Sequence, residues 1–345
     1  YIILREWVFL KKSSKFFFSK NYLIASTIFS SILFLGNWGY GLLSLNNIAN
    51  TKNNRVEAAL IQGNIEQKQK WDKTYRKNIL DTYERLTIAA AKNNPDIIIW
   101  PEASLPFIYK YEAPETIRLN QFVKSVNIPM LIGAQYLEKN ELGKYTYYNS
   151  AYFLKPGSLD NVQRYDKIHL VPFGEFVPFS NILSFVKKFV SVPGELGRGK
   201  KISFFELSSW KFGVSICYEI TFPDLVRQSA KKGAQFLVTI TNDAWFGHSA
   251  ASYQHIAIAA LRAVENRMPI LRAANTGISG MIDSSGKIHD QTKIFVEGTM
   301  QTTIEPRVTK PTYYSQNGDI FSLVLIIFSI IFGILTCRNK TRNIS

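Results

Sequence analysis

Residues 212–225 read FGVSICYEITFPDL. The first five form a short apolar run of the kind that fills a fully buried strand. Thr221, Phe222, Pro223 and Asp224 then look like a helix start, with Thr221 as N-cap, proline at the first helical position and an acid in the first turn. A buried strand that runs through a tight turn into a helix is the unit of an α/β fold. Cys217 stands on that turn, at the sheet's rim and beside a helix N-terminus. The helix dipole there is expected to lower a thiol pKa from its usual value of about 8.5, which suits a nucleophile. The alternative is a free cysteine that only packs, the more common use of a buried thiol.

The same rhythm extends outward. Residues 56–61, 96–100, 129–133, 151–154, 236–240 and 278–283 are further strand candidates, and residues 75–92 carry helical spacing through Ile79, Tyr83, Leu86 and Ile88. No internal repeat, low-complexity run or long linker interrupts residues 56–306.

Two segments have a different character. Residues 22–45 (YLIASTIFSSILFLGNWGYGLLSL) and 320–337 (IFSLVLIIFSIIFGILTC) hold no Asp, Glu, Lys, Arg or His. A helix needs about 20 apolar residues to cross a bilayer, so both read as membrane spans, the second at the short end. Arg5, Lys11, Lys12, Lys15 and Lys20 precede the first, and Arg338, Lys340 and Arg342 follow the second. Positive charge gathers on the cytoplasmic side, which makes both termini cytoplasmic and the region between them extracytoplasmic. Trp38, Tyr40, Tyr313 and Tyr314 fit interfacial positions. The expected organisation is a basic segment at 1–20, a span at 21–45, a catalytic domain at 46–319 with its core at 56–306, a span at 320–337 and a tail at 338–345. Tyr1 in place of Met, and the apolar run YIILREWVFL, suggest that the natural chain continues N-terminally.

The net charge is +15, from 41 Lys and Arg against 26 Asp and Glu, and about half of it lies beside the spans. Basic charge there points to anionic lipid, and no nucleic-acid module is present. With two cysteines, Cys217 and Cys337, there is no disulfide framework or cysteine-based zinc signature. The four histidines show no ligand spacing, so no metal is expected. There is no phosphate-cradling glycine loop and no serine elbow.

Two other strand ends carry candidate chemistry. In DIIIWPEASLP (96–106), Glu102 sits just past a buried strand, where α/β sheets bind ligands and a general base is useful. In RYDKIHLVPFGEFVPF (164–179), Lys167 offers a fixed positive charge among apolar residues, suited to stabilising an oxyanion. Each has an ordinary alternative, a salt-bridged loop carboxylate for Glu102 and a solvated surface charge for Lys167.

Taken together, Glu102 in W-P-E, Lys167 in K-I-H-L-V-P-F-G-E and Cys217 in C-Y-E, spaced by 65 and 50 residues, resemble the Glu-Lys-Cys triad of the nitrilase, or carbon-nitrogen hydrolase, superfamily. IQGNIEQKQKWD (61–72), TNDAWFG (241–247) and QHIAIAALRAVENRMPILRAANTGISGMID (254–283) narrow the resemblance to its apolipoprotein N-acyltransferase branch. The likeness runs from about residue 56 to 290.

That resemblance implies a four-layer α-β-β-α sandwich flanked by transmembrane helices, on the periplasmic side of a bacterial inner membrane. It implies ping-pong acyl transfer: Glu102 activates Cys217, Lys167 stabilises the oxyanion, and an acyl chain passes from a phospholipid, expected to be phosphatidylethanolamine, through a Cys217 thioester to the N-terminal amine of a diacylglyceryl apolipoprotein. No cofactor is implied. Glu175, Tyr218 and Glu219 would support the site, Glu175 by holding Lys167. Trp71, Phe173, Phe176, Trp245 and Phe246 would line a lipid-facing rim. The family carries about eight membrane helices, most of which would precede residue 1. His248 to Tyr253 also departs from the Gly-Pro that often follows this loop. A membrane-tethered amidase and an inactive remnant are the competing readings.

Overall fold

The computed structural model describes residues 20–49, 55–141, 143–178 and 196–342. The basic residues before Lys20 and the aromatic Phe179 lie outside them. The chain divides into two units, residues 1–52 and 53–345.

The first unit contributes one described helix, α1 (Lys20–Ala49). Its stretch Ser26–Leu45 is long and apolar enough to cross a membrane. Ile32, Phe34, Leu35 and Leu43 on it are exposed.

The second unit holds two mixed six-stranded sheets. One runs β12-β1-β2-β3-β4-β5, from β12 (Gly298–Ile304), β1 (Val56–Gln62), β2 (Ile97–Ile99), β3 (Met130–Lys139), β4 (Tyr145–Leu154) and β5 (Gln163–Asp166). The other runs β11-β10-β9-β8-β7-β6, from β11 (Ile288–Gln291), β10 (Gly280–Ile282), β9 (Ile270–Ala274), β8 (Phe236–Thr241), β7 (Trp210–Ile216) and β6 (Phe204–Leu207). In each sheet three strands are parallel, β1-β2-β3 and β7-β8-β9, and the rest pair antiparallel. The central parallel strands β2, β8 and β9 are buried along their whole length, as strands covered on both faces must be. β2 is three isoleucines, all inaccessible.

Three cores separate four layers. Ala58, Leu60, Ile97 and Ile99 of one sheet meet Phe212, Val214, Ile216 and Val238 of the other. The opposite face of the first sheet packs on α2 (Arg76–Ala91) and α3 (Ala113–Val126) through Ile79, Tyr83, Leu119 and Val123. The second sheet packs on α4 (Pro223–Lys231) and α5 (Ala251–Asn266) through Val226, Ala230, Ile256 and Ala263. Burying each large apolar side chain is worth roughly 1.5–3 kcal/mol, so these three interfaces supply the main driving force for the fold. The result is an α-β-β-α sandwich, as the sequence led us to expect.

After β12 the chain crosses α4 and α5 before leaving the sandwich. The short helix α6 (Tyr313–Asn317) is capped by Thr312, and Ser315 bonds Asn266 at 2.8 Å. α7 (Ile320–Arg342) follows, with Phe321, Leu323 and Phe328 exposed. The expected second span, residues 320–337, falls on this helix. Its described apolar stretch, Ile320–Ile331, is shorter than a crossing needs.

One local expectation fails. Thr221 does not cap α4: the N-cap is Phe222, and the Thr221 hydroxyl instead donates to the Tyr218 carbonyl at 2.7 Å. A short 3-10 turn, Cys217–Thr221, occupies the residues between strand and helix and leaves Thr221 inside that turn.

Candidate active site

Glu102, Lys167 and Cys217 come from three separate strand ends. Glu102 follows β2. The chain there leaves the sheet beside Gly133 of β3, whose carbonyl accepts from the amides of Ser104 and Leu105 at 2.9 and 3.3 Å. A side chain at position 133 would collide with the backbone of Pro101 and Glu102, so only glycine lets the carboxylate segment pass. Ala103 takes a left-handed φ of 48° at this bend.

Lys167 follows β5, and its amide and carbonyl are held by Asn149 and Gly199 at 2.8 Å each. Cys217 opens the turn after β7 with a left-handed φ of 53°. A non-glycine residue held there costs of order 1–3 kcal/mol and persists only where its surroundings enforce it.

The three side chains are buried together. Lys167 Nζ lies 2.9 Å from Glu175 Oε1 and 3.3 Å from Glu102 Oε1. Asn149 Nδ2 bridges the two carboxylates, donating to Glu102 at 2.7 Å and to Glu175 at 3.0 Å. The second oxygen of Glu102 accepts from the Asn242 amide at 2.8 Å, and that of Glu175 from the Val171 amide at 2.9 Å. Burial alone would lower the Lys167 pKa, but the facing Glu102, Cys217 and Glu175 reverse this and hold it above its ordinary value. Lys167 is therefore a fixed cation at neutral pH.

The thiol behaves differently from the expectation. Burial, reinforced by the Glu102 charge and opposed by Lys167, pushes the Cys217 pKa up to about 12. The helix-dipole argument fails because the thiol is desolvated by the whole sandwich and stands beside a carboxylate. At neutral pH it is a neutral thiol, with the Glu102 and Lys167 charges acting on it in opposite directions.

Glu219, fully buried, fastens the Cys217 turn to the Lys167 segment. It accepts from the amides of Ile168, His169 and Ile216 at 2.6, 3.1 and 2.8 Å, and from the Tyr165 hydroxyl at 2.8 Å. Burial raises its pKa, offset by those amides. Tyr218 meets Phe222 edge-on at 5.0 Å between ring centroids, and Phe222 stacks on His169 at 4.1 Å.

Of the expected rim, Trp71, Phe173, Trp245 and Phe246 are exposed, and Phe176 is half-buried with the Arg198 guanidinium 4.5 Å from its ring centre. Each exposed aromatic is tied to the site by a near neighbour in sequence. Trp71 follows Lys70, Phe173 precedes Glu175 by two residues, and Trp245 and Phe246 follow Asp243 in the 3-10 turn Asp243–Phe246.

The site also contains groups that sequence reasoning passed over. Lys70 is buried and donates to the Glu102 carbonyl at 3.3 Å; burial lowers its pKa to about 8 against the pull of Glu102 and Cys217. Asn149 lies at the middle of a strand and gives no signal of its own. Asp243 and His255 stood inside quoted motifs without a role. They join Arg272 in a buried network: His255 Nδ1 lies 3.0 Å from Asp243 Oδ1, and Arg272 bonds Asp243 Oδ2 at 2.8 Å.

The carbon-nitrogen hydrolase family model matches residues 57–314. The apolipoprotein N-acyltransferase of Geobacter metallireducens is 38% identical over 286 residues, which cover 83% of this chain and 54% of that protein. That of Haemophilus ducreyi is 37% identical, covering 81% of this chain and 55% of that protein. The chain thus spans about half the length of these curated relatives. Among solved structures, a carbon-nitrogen hydrolase superfamily protein from Xanthomonas campestris aligns with a TM-score of 0.55 and 18% identity, over 73% of this chain and 91% of that one. Nit3 of Saccharomyces cerevisiae, of the nitrilase superfamily, gives 0.55 and 19% over 74% and 93%. The shared sandwich and a family match that begins in β1 and ends at α6 lead to one conclusion: the chain belongs to the carbon-nitrogen hydrolase family.

Proposed function

We propose that this chain carries the catalytic domain of an apolipoprotein N-acyltransferase, with Glu102 as general base, Lys167 as oxyanion stabiliser and Cys217 as nucleophile. The observation that carries the reading is the buried Glu102–Lys167–Glu175 cluster beside a neutral thiol, in a chain 38% identical to a protein of that name. Glu102 takes the thiol proton as sulfur attacks an ester carbonyl of a phospholipid, phosphatidylethanolamine by our reading. The resulting oxyanion faces the Lys167 ammonium, which needs no reorganisation to receive it. Collapse breaks the carbon–oxygen bond; the lysophospholipid leaves with the proton from Glu102, and the acyl group remains as a thioester.

The N-terminal amine of a diacylglyceryl-cysteine apolipoprotein then attacks the thioester and passes its proton to Glu102. An amide forms as the carbon–sulfur bond breaks, and Cys217 recovers its proton. Dividing the transfer this way replaces one hard step by two easier ones. Glu175, Glu219 and Tyr218 support the site. The exposed Trp71, Phe173, Trp245 and Phe246, and the half-buried Phe176, favour lipid substrates over a soluble amide, because exposed aromatics suit an interfacial layer. By this reading α1 and α7 hold the domain on the outer face of the inner membrane, with both chain termini cytoplasmic and no nucleic acid or cofactor involved.

The test incubates the detergent-solubilised protein with phosphatidylethanolamine and a synthetic diacylglyceryl-cysteine peptide, followed by peptide mass spectrometry. The reading predicts a peptide heavier by one acyl group, with the new bond stable to hydroxylamine. Release of free fatty acid with an unchanged peptide would make water the acceptor and the enzyme a hydrolase.

A further inference from the structure

The nucleophile's backbone is held from below by a residue that the chemistry above does not use. Cys217 stands at φ 53°, a strained conformation for a side-chain-bearing residue. Its main-chain carbonyl meets His255 Nε2 at 3.1 Å. A carbonyl only accepts hydrogen bonds, so Nε2 carries a proton. The other ring nitrogen is fixed as well: Nδ1 lies 3.0 Å from Asp243 Oδ1 and 3.1 Å from an Arg272 nitrogen. Arg272, fully inaccessible, also bonds Asp243 Oδ2 at 2.8 Å and the Ile278 carbonyl at 3.0 Å. A side chain at Gly277 would strike the Asp243 carboxylate, so the packing around this network admits no bulk.

The residue before Asp243 acts on the other reacting partner, since the Asn242 amide holds Glu102 Oε2 at 2.8 Å. The end of β8 therefore grips the base directly and the nucleophile's turn through a histidine. We infer that His255, backed by Asp243, is a positioning residue: its Nε2–H holds the Cys217 carbonyl and so keeps the strained turn that presents the sulfur to Glu102 and Lys167. The inference rests on the acyl-transfer reading for its consequence and on the geometry alone for its premise.

The test uses the full chain with His255→Leu, which removes the donor, and His255→Gln, which can return an N–H to the same carbonyl. Two rates are measured at fixed pH: acylation of Cys217 from phosphatidylethanolamine in mixed micelles across lipid concentrations, and alkylation of Cys217 by iodoacetamide, which needs no lipid. Misplacing a reacting group by about 1 Å costs up to about 100-fold. His255→Leu is expected to slow acylation at saturating lipid about 30-fold and alkylation about tenfold, with half-saturation changed less than about twofold. His255→Gln is expected to recover both to within about fivefold of wild type. If His255→Leu does not fold, His255→Asn, polar but too short to reach the carbonyl, takes its place with the same expectation. Wild-type rates in the donor-free variant, or a Gln variant as slow as the Leu variant, would overturn the inference. A wild type that is alkylated but never acylated would refute the acyl-transfer reading, and the alkylation series would still decide the role of His255.

Discussion

Lys167 Nζ is closer to Glu175 Oε1, at 2.9 Å, than to Glu102 Oε1, at 3.3 Å. The cation is thus anchored chiefly by Glu175, which leaves Glu102, the base in the proposed mechanism, with the longer ion pair. Removing the Glu175 charge would let Lys167 close on Glu102 and blunt it. Glu175→Gln is expected to slow acylation about 100-fold with little change in lipid half-saturation, as for loss of a pre-organised electrostatic partner. Single-turnover kinetics checks this. Normal activity in Glu175→Gln or Glu175→Ala would remove Glu175 from the account.

Asp243 contributes stability that depends on pH. Its carboxyl is buried, which alone would raise its pKa, but Arg272 and His255 bring it from 3.8 down to about 2. A depressed folded-state pKa gives stabilisation that is complete above the unfolded value and lost as pH falls through the folded one. The shift corresponds to about 2 kcal/mol. Chemical denaturation of wild type and Asp243→Asn should show a gap at neutral pH that narrows between about pH 4 and 2. A gap independent of pH would mean that the ion pair is not its source.

Lys70 is expected to shape the pH profile of acylation. With its pKa lowered to about 8 by burial, its charge fades over a range in which Lys167 keeps its own. That charge bears on Glu102 and Cys217, so its loss weakens stabilisation of the thiolate and the oxyanion. The ratio of the wild-type rate to that of Lys70→Met should be about tenfold at pH 7 and fall toward one above pH 8. Rates of both proteins across pH 6–10 provide the check, and a constant ratio would contradict it.

Much of this architecture is written in local sequence. β2 is all isoleucine and β8 opens on Phe-Leu-Val because both faces of each strand are covered, and each leads straight to a segment of the candidate site. β12 escaped notice because GTMQTTI buries only alternate residues, and its partner β1 lies some 240 residues earlier. The long β3–β4 hairpin was legible only in its buried half; its outer half carries polar residues and exposed tyrosines. Within the site, Glu102 and Cys217 stand out because each follows an apolar run, and Lys167 because it opens a segment dense in apolar residues. The Cys217 pKa was not legible, since the desolvation that sets it comes from elements distant in sequence. Asn149 and His255 escaped for a related reason: a hydrogen bond across 47 residues to Glu102, or 38 to Cys217, leaves no trace in spacing. Histidine spacing in sequence speaks only to metal-ligand patterns, whereas His255 meets a backbone carbonyl.

The central claim is a covalent acyl group on Cys217. Intact-mass spectrometry of the solubilised protein after incubation with phosphatidylethanolamine tests it directly, with and without hydroxylamine and beside Cys217→Ala. The account predicts one added acyl mass on the wild type, removed by hydroxylamine and absent from the variant. An adduct that persists in Cys217→Ala, or no adduct at all in a protein that consumes the phospholipid, would contradict it.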